Sequence, residues 1–244
     1  MKNNQLDSEK YLKIYNFIVS RYRDLEIRTE MDQIYNLSFF RNEIIQGILS
    51  TEGNLASVDD VRILTAGSFK KLEFDSRLRE QDIEEVWAMN RAFKYLEENI
   101  DKPLTLEIIK NYNSLIVTGL KSKYSKELRQ TNVFINNTVY SPPDFRGLER
   151  LVDNGLKEIE MLDGNINKAF SYLLMISKLQ VFIDGNKRTA LLSAIHHLAY
   201  SKQPLLMFFS DFTQEYLKSL KHFYETGDNE PVSGVLYKQL DINR

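Results

Sequence analysis

Residues 169–200 read AFSYLLMISKL-QVFIDGNKR-TALLSAIHHLAY, two apolar stretches joined by a short polar loop, and their reading decides the fold. Residues 169–179 are apolar nearly all round, which marks a helix enclosed by other helices. After the loop, Leu191, Leu192, Ile195, Leu198 and Tyr200 resume helical spacing. Between them, Asp184, Gly185, Asn186, Lys187 and Arg188 put a glycine turn and two cations at a helix start. The first N–H groups of a helix lack intrahelical acceptors and the macrodipole adds positive potential, so a phosphate can stand where an N-cap side chain would. Lys187 and Arg188 would add charge-assisted bonds. Asp184 is a lone carboxylate of the kind Mg²⁺ takes one or two at a time. The same Asp-Gly-Asn tripeptide recurs at 163–165 without the basic pair and reads as a turn. On spacing alone two readings stay open, a phosphate site and an ordinary helix start whose cations face water. Neither GxxxxGK[ST] nor GxGxxG occurs to decide between them.

Outward from this segment the chain is helical in pattern. Tyr11, Ile14, Tyr15, Ile18 and Val19 suggest a helix over residues 8–25. Met31, Ile34, Tyr35, Leu37 and Phe40, then Ile44, Ile45, Ile48 and Leu49, carry one pattern as far as Gly53. Ser57 is the expected N-cap of the next helix, with Asp60 three residues on. The pattern weakens between Ala66 and Arg79 and resumes over 81–99. Thr105 caps a helix expected to reach Gly119, and Lys121 to Lys126 is a charged connector. Helical spacing returns over 148–161, 211–223 and 231–240. One segment reads as extended: Val133, Phe134, Ile135, Thr138, Val139 and Tyr140 flank the turn pair Asn136-Asn137, a short hairpin in prospect. Trp87 and Phe208-Phe209 read as core.

Composition narrows the function. The 244 residues carry 32 basic and 34 acidic side chains, a formal charge of −2, which argues against nucleic acid or an anionic membrane as partner. There is no cysteine, so disulfides, thiolate metal sites and cysteine nucleophiles are excluded. The N-terminus is polar and no run reaches the roughly 20 apolar residues of a membrane span, so a soluble, cytoplasmic protein without a signal peptide is expected. With 10 glycines and 5 prolines, turns are too few for a many-stranded fold. The expectation is an all-α fold with one small hairpin.

QVFIDGNKR at 180–188 resembles the signature HxFx[D/E]GN[G/K]R of the Fic/Doc (Fido) family. Phe182, Asp184, Gly185, Asn186, Lys187 and Arg188 fit; Gln180 stands where the family has histidine. NKRTAL at 186–191 is nearest the Doc branch. ELR at 127–129, VFI at 133–135 and YSPP at 140–143 resemble the lead-in, the flap and the proline pair that follows it. The resemblance runs from about residue 80 to the end, implying a Fido domain over 80–244 preceded by an N-terminal helical region, 1–79, with an inhibitory or regulatory role, the two forming one compact unit.

Family members move AMP, another nucleotide fragment or a phosphoryl group from a donor such as ATP onto a hydroxyl of a target protein. The resemblance implies Mg²⁺ and ATP, or another nucleotide, as cofactors. Asp184 matches the metal ligand; Gly185, Asn186, Lys187 and Arg188 match the phosphate cradle. Val133, Phe134, Ile135 and Val139 match the flap on which the target docks. The family histidine is the base that takes the hydroxyl proton, and the Gln180 amide has no titratable site near neutral pH. A second departure is Leu191, where AMP-transferring members have another arginine. Glu52, in STEGN at 50–54, resembles the glutamate of the family's inhibitory helix that pairs with that arginine. The leading expectation is a nucleotide-binding Fido protein with impaired catalysis. The alternatives are an active AMP transferase or Doc-like kinase toxin, and a peptide-binding module with an empty nucleotide site. Oligomeric state is left open between a monomer and a homo-oligomer.

Overall fold

The computed structural model describes residues 30–67, 78–118 and 123–240. The expected helix over 8–25, the connector at Lys121 and the helix end at Gly119 fall outside them. Within them the chain forms α1 (Glu30–Phe39), α2 (Arg41–Ser50), α3 (Val58–Thr65), α4 (Glu80–Glu97), α5 (Leu106–Ile116), α6 (Leu148–Glu160), α7 (Asn165–Leu179), α8 (Asn186–Tyr200), α9 (Thr213–Thr226) and α10 (Glu230–Lys238). The fold is all-α.

The central pair is α7 and α8, packed along one another. Phe170, Leu173 and Met175 of α7 and Leu191, Leu192 and Ile195 of α8 are fully buried. Each such side chain contributes about 1.5–3 kcal/mol relative to exposure, so this pair anchors the fold. The other helices shield it: α6 lies on α7, α5 on α8, and α4 on α5. Trp87 and Phe209 pack against this core from partly buried positions and Phe208 lies within it.

Local signals explain most boundaries. Ser57 Oγ accepts from the Asp60 N–H at 3.2 Å while Asp60 Oδ2 accepts from the Ser57 N–H at 2.8 Å, a complete capping box. Thr105 Oγ1 accepts from the Ile108 N–H at 3.3 Å and starts α5. Gly227, at φ +81°, ends α9 in the left-handed region, and Pro231 sits in the first turn of α10.

Two expectations are corrected. The single pattern over 31–49 is two helices, bent at Phe40 (φ −98°, ψ 12°), although the Phe40 carbonyl still accepts from the Ile44 N–H. The bend lets both Leu37 and Ile44 reach the core. The hairpin at 130–141 is not formed: the segment is extended about a turn at Asn136-Asn137, with Asn137 at φ +62°, but no ladder joins its arms. Its polar groups are engaged elsewhere, Asn132 with Asp144 and the Phe145 N–H, and Thr138 with Glu225. Among the described residues the one isolated β-bridge joins Leu206 and Leu240.

Candidate functional site: a loop at the start of α8

The last turn of α7 closes on Gln180, which is left-handed (φ 48°, ψ 62°), so the chain turns sharply toward α8. Its side chain braces the turn from both ends. Nε2 donates to the Ser177 carbonyl at 2.7 Å and Oε1 accepts from Asn186 Nδ2 at 3.1 Å. Phe182 is fully buried and pins the loop to the core. Asn186 then closes the loop on itself, accepting from the Phe182 N–H and donating to its carbonyl, both at 2.9 Å.

Gly185 is the N-cap of α8, at φ +75°. A Cβ there would lie 3.0 Å from Val117 and 3.1 Å from Asn113, so conformation and space both demand glycine. Having no side chain, it leaves the first N–H groups of α8 without a side-chain cap. Asp184 Oδ1 accepts from the Gly185 N–H at 2.7 Å, and the Asp184 carbonyl accepts from Asn113 Nδ2 at 2.8 Å.

The two cations of the loop part company. Lys187 faces a cavity of about 690 Å³, where its ammonium lies 3.2 Å from Glu52 Oε2 and donates to the Thr51 carbonyl at 3.1 Å. Arg188 turns behind the loop, its side chain 6% exposed, with Nη1 3.8 Å from Glu85 and Nη2 3.9 Å from Asp184. Its Nε and Nη1 are buried without a hydrogen-bond partner. Glu85 is fixed in turn by Asn54 Nδ2 at 2.8 Å, which also donates to the Asp82 carbonyl. Hydrogen bonding from Arg79 holds the Asp82 carboxyl below its usual range. The Glu52 turn and the back of the loop thus share α4 as a common support.

Opposite the loop, residues 134–138 and α9 complete the cavity. Phe134 and Val139 are 84% and 89% exposed, whereas Val133 and Ile135 are half-buried. Gln180, Asp184, Gly185, Asn186, Lys187, Glu52, Phe134 and Ile135 therefore meet around one cavity, and Arg188, Val133 and Val139 are not among its lining residues. Sequence reasoning missed the α9 wall, Gln214, Leu217, Lys218, Lys221 and Tyr224. Their i, i+3, i+4, i+7 spacing on one helix face was the available signal. Burial and the nearby Glu52 charge, among other groups, push the Tyr224 hydroxyl well above the usual phenol range.

His196, His197 and His222 do not line the cavity. Leu191, at the position of the family's second arginine, is fully buried. Among the described residues no three His, Cys, Asp or Glu side chains gather as a metal cluster. No described helix is long and apolar enough to cross a membrane.

A helical core thus surrounds a glycine-started helix without a side-chain cap, with Lys187 of its first turn at the wall of a cavity. Residues 103–198 match the model of the Fic/DOC family. Solved structures agree in fold. Fic-1 (residues 134–508) from C. elegans superposes with a TM-score of 0.70 at 19% identity, covering 95% of this chain and 69% of that one. A Fic-domain signalling protein from Bacteroides thetaiotaomicron gives 0.65 at 15%, covering 95% and 91%. A Fic family protein from Desulfovibrio desulfuricans gives 0.66 at 17%, covering 95% and 72%. No curated protein sequence matches the chain.

Proposed function

We propose that the chain binds a nucleoside polyphosphate, ATP by preference, at the start of α8, and that its capacity to transfer part of it is impaired. The observation that carries this reading is the left-handed Gly185 N-cap, which leaves the first α8 amides uncapped beside Lys187. Gly185, Asn186 and Lys187 hold phosphate oxygens. Arg188 lends charge from behind, its buried Nε and Nη1 being without hydrogen-bond partners. Asp184 would hold Mg²⁺: its carboxylate lines the cavity next to the start of α8, and magnesium takes one or two protein carboxylates. When bound, the ion neutralises phosphate charge. Glu52 competes with phosphate for Lys187 and restrains binding, which gives residues 1–79 a regulatory part next to the 80–244 domain.

Impairment rests on Gln180. A hydroxyl that attacks phosphorus must lose its proton, and an amide whose Nε2 donates to Ser177 and whose Oε1 accepts from Asn186 has neither the basicity nor the freedom to take it. A general base contributes about 10²–10⁴-fold, so that is the expected deficit. The target protein docks at Phe134, Ile135 and neighbouring flap residues. A second reading, a peptide-binding module with no nucleotide, is favoured by the exposed Phe134 and Val139.

The test is incubation with labelled ATP and lysate. The unmodified chain should label targets weakly or not at all, and Gln180→His should raise labelling by about two orders of magnitude or more. Strong labelling by the unmodified chain rejects impairment. Labelling by neither, together with no Mg²⁺-ATP binding, favours the peptide module.

A further inference from the structure

Arg129 is 2% exposed, and no carboxylate forms an ion pair with it among the described residues. Each guanidinium nitrogen donates to a backbone carbonyl. Nε reaches Gln180 at 2.6 Å, Nη1 reaches Thr131 at 2.8 Å, and Nη2 reaches Pro143 at 2.5 Å and, at 3.4 Å, Leu179. Its own N–H donates to the Val181 carbonyl at 3.0 Å. A buried cation is costly unless its donors are met, and here backbone dipoles from three segments meet them. Two of these carbonyls, Leu179 and Gln180, belong to the C-terminal end of α7, where the helix dipole favours positive charge. Closing a helix end does not require arginine, since a left-handed residue suffices. The additional bonds to Thr131 and Pro143 join the two ends of the flap, whose arms lack a ladder of their own.

We propose that Arg129 is a positioning residue. It locks the base of the flap to the left-handed turn at Gln180, so that residues 132–139 stand at a fixed distance from the loop at 184–188. A planar fork with several donors on three nitrogens is what the task needs; an ammonium has one centre and cannot hold both flap ends and the turn together. Without the lock, the flap keeps its other ties. These include the Tyr140 hydroxyl to the Lys178 carbonyl at 3.0 Å, Tyr140 stacked on Tyr224 with centroids 5.8 Å apart, Thr138 to Glu225 at 2.9 Å, and Asn132 with Asp144 and the Phe145 N–H. The consequence for a docked target rests on the nucleotide reading above, whereas the lock itself does not.

The experiment is amide hydrogen exchange on the full chain carrying Arg129→Lys or Arg129→Met, with Mg²⁺-ATP calorimetry on the same proteins. In both variants the hydrogen-bonded amides at the flap ends, those of Arg129, Tyr140 and Phe145, should exchange about tenfold faster or more, while mid-helix amides of α7 and α8 keep their protection. The dissociation constant for Mg²⁺-ATP should move less than about threefold, because Asn186 holds the phosphate loop independently. Unchanged flap exchange overturns the proposal. So does loosening of flap, α7 and α8 by a common factor, which would make Arg129 a global stabiliser only. If Arg129→Met does not fold, Arg129→Lys decides. Failure of the unmodified chain to bind Mg²⁺-ATP would count against the nucleotide reading, with the exchange comparison still deciding the lock.

Discussion

The Glu52 carboxylate lies 3.2 Å from the Lys187 ammonium, joining the turn after α2 to the first turn of α8. Lys187 also donates to the Thr51 carbonyl at 3.1 Å, so the cation is held twice by one turn of chain. Any phosphate that takes Lys187 must compete with that turn.

Glu52→Gln should therefore strengthen Mg²⁺-ATP binding. The pair is partly exposed, and such pairs are worth about 0.2–1 kcal/mol, so the expected gain is roughly 1.5- to 5-fold by calorimetry. Weaker binding after the substitution would mean that Glu52 helps to hold the ligand.

Gly47→Ala should destabilise the fold. A Cβ at Gly47 would meet the Phe208 carbonyl oxygen at 1.9 Å, and the obstacle is backbone, which cannot rotate away. The expected cost is about 1–3 kcal/mol, read as a lower Tm. Because α2 leads into the Glu52 turn, a displaced α2 should also weaken the Glu52–Lys187 contact and raise Mg²⁺-ATP affinity in what remains folded. A Tm equal to that of the unmodified chain would show that α2 and the Phe208 segment are not in contact.

Acid should destabilise the protein through His196. Its Nε2–H donates to the Lys102 carbonyl at 2.8 Å, and its Nδ1 lies 2.6 Å from the Tyr112 hydroxyl. Burial lowers its pKa in the folded state. The unfolded chain, with histidine near pKa 6.5, binds the proton first as the pH falls. The contribution is thus complete above about pH 6.5 and is lost below it, at no more than about 1.4 kcal/mol per pH unit. His196→Gln should flatten the Tm profile between pH 7 and 5. An unchanged slope would assign acid sensitivity to other groups.

How much was legible in the sequence depends on whether the deciding signal was local. Ser57, Thr105 and Gly185 announce their helix ends because capping and left-handed turns involve only a few neighbouring residues. The all-round apolar character of α7 likewise foretells its enclosure. The flap misled because β-propensity describes residues that suit a pleated surface, and a ladder needs partners that Asn132 and Thr138 find elsewhere. The separation of Lys187 from Arg188 was invisible for the opposite reason. Adjacent residues on a helix point about 100° apart, and only the position of Glu85 on α4 shows which one turns inward. Arg129 serves carbonyls from segments far apart in the chain, so no local pattern marks its role.

The most direct measurement is amide NMR of the unmodified chain titrated with Mg²⁺-ATP. The amides of Gly185, Asn186 and Lys187 should shift first and saturate together, and Lys187→Ala should weaken the response by about tenfold, as loss of one charge-assisted contact implies. Shifts confined to residues away from 184–188, or none at millimolar nucleotide, would contradict phosphate binding at the start of α8.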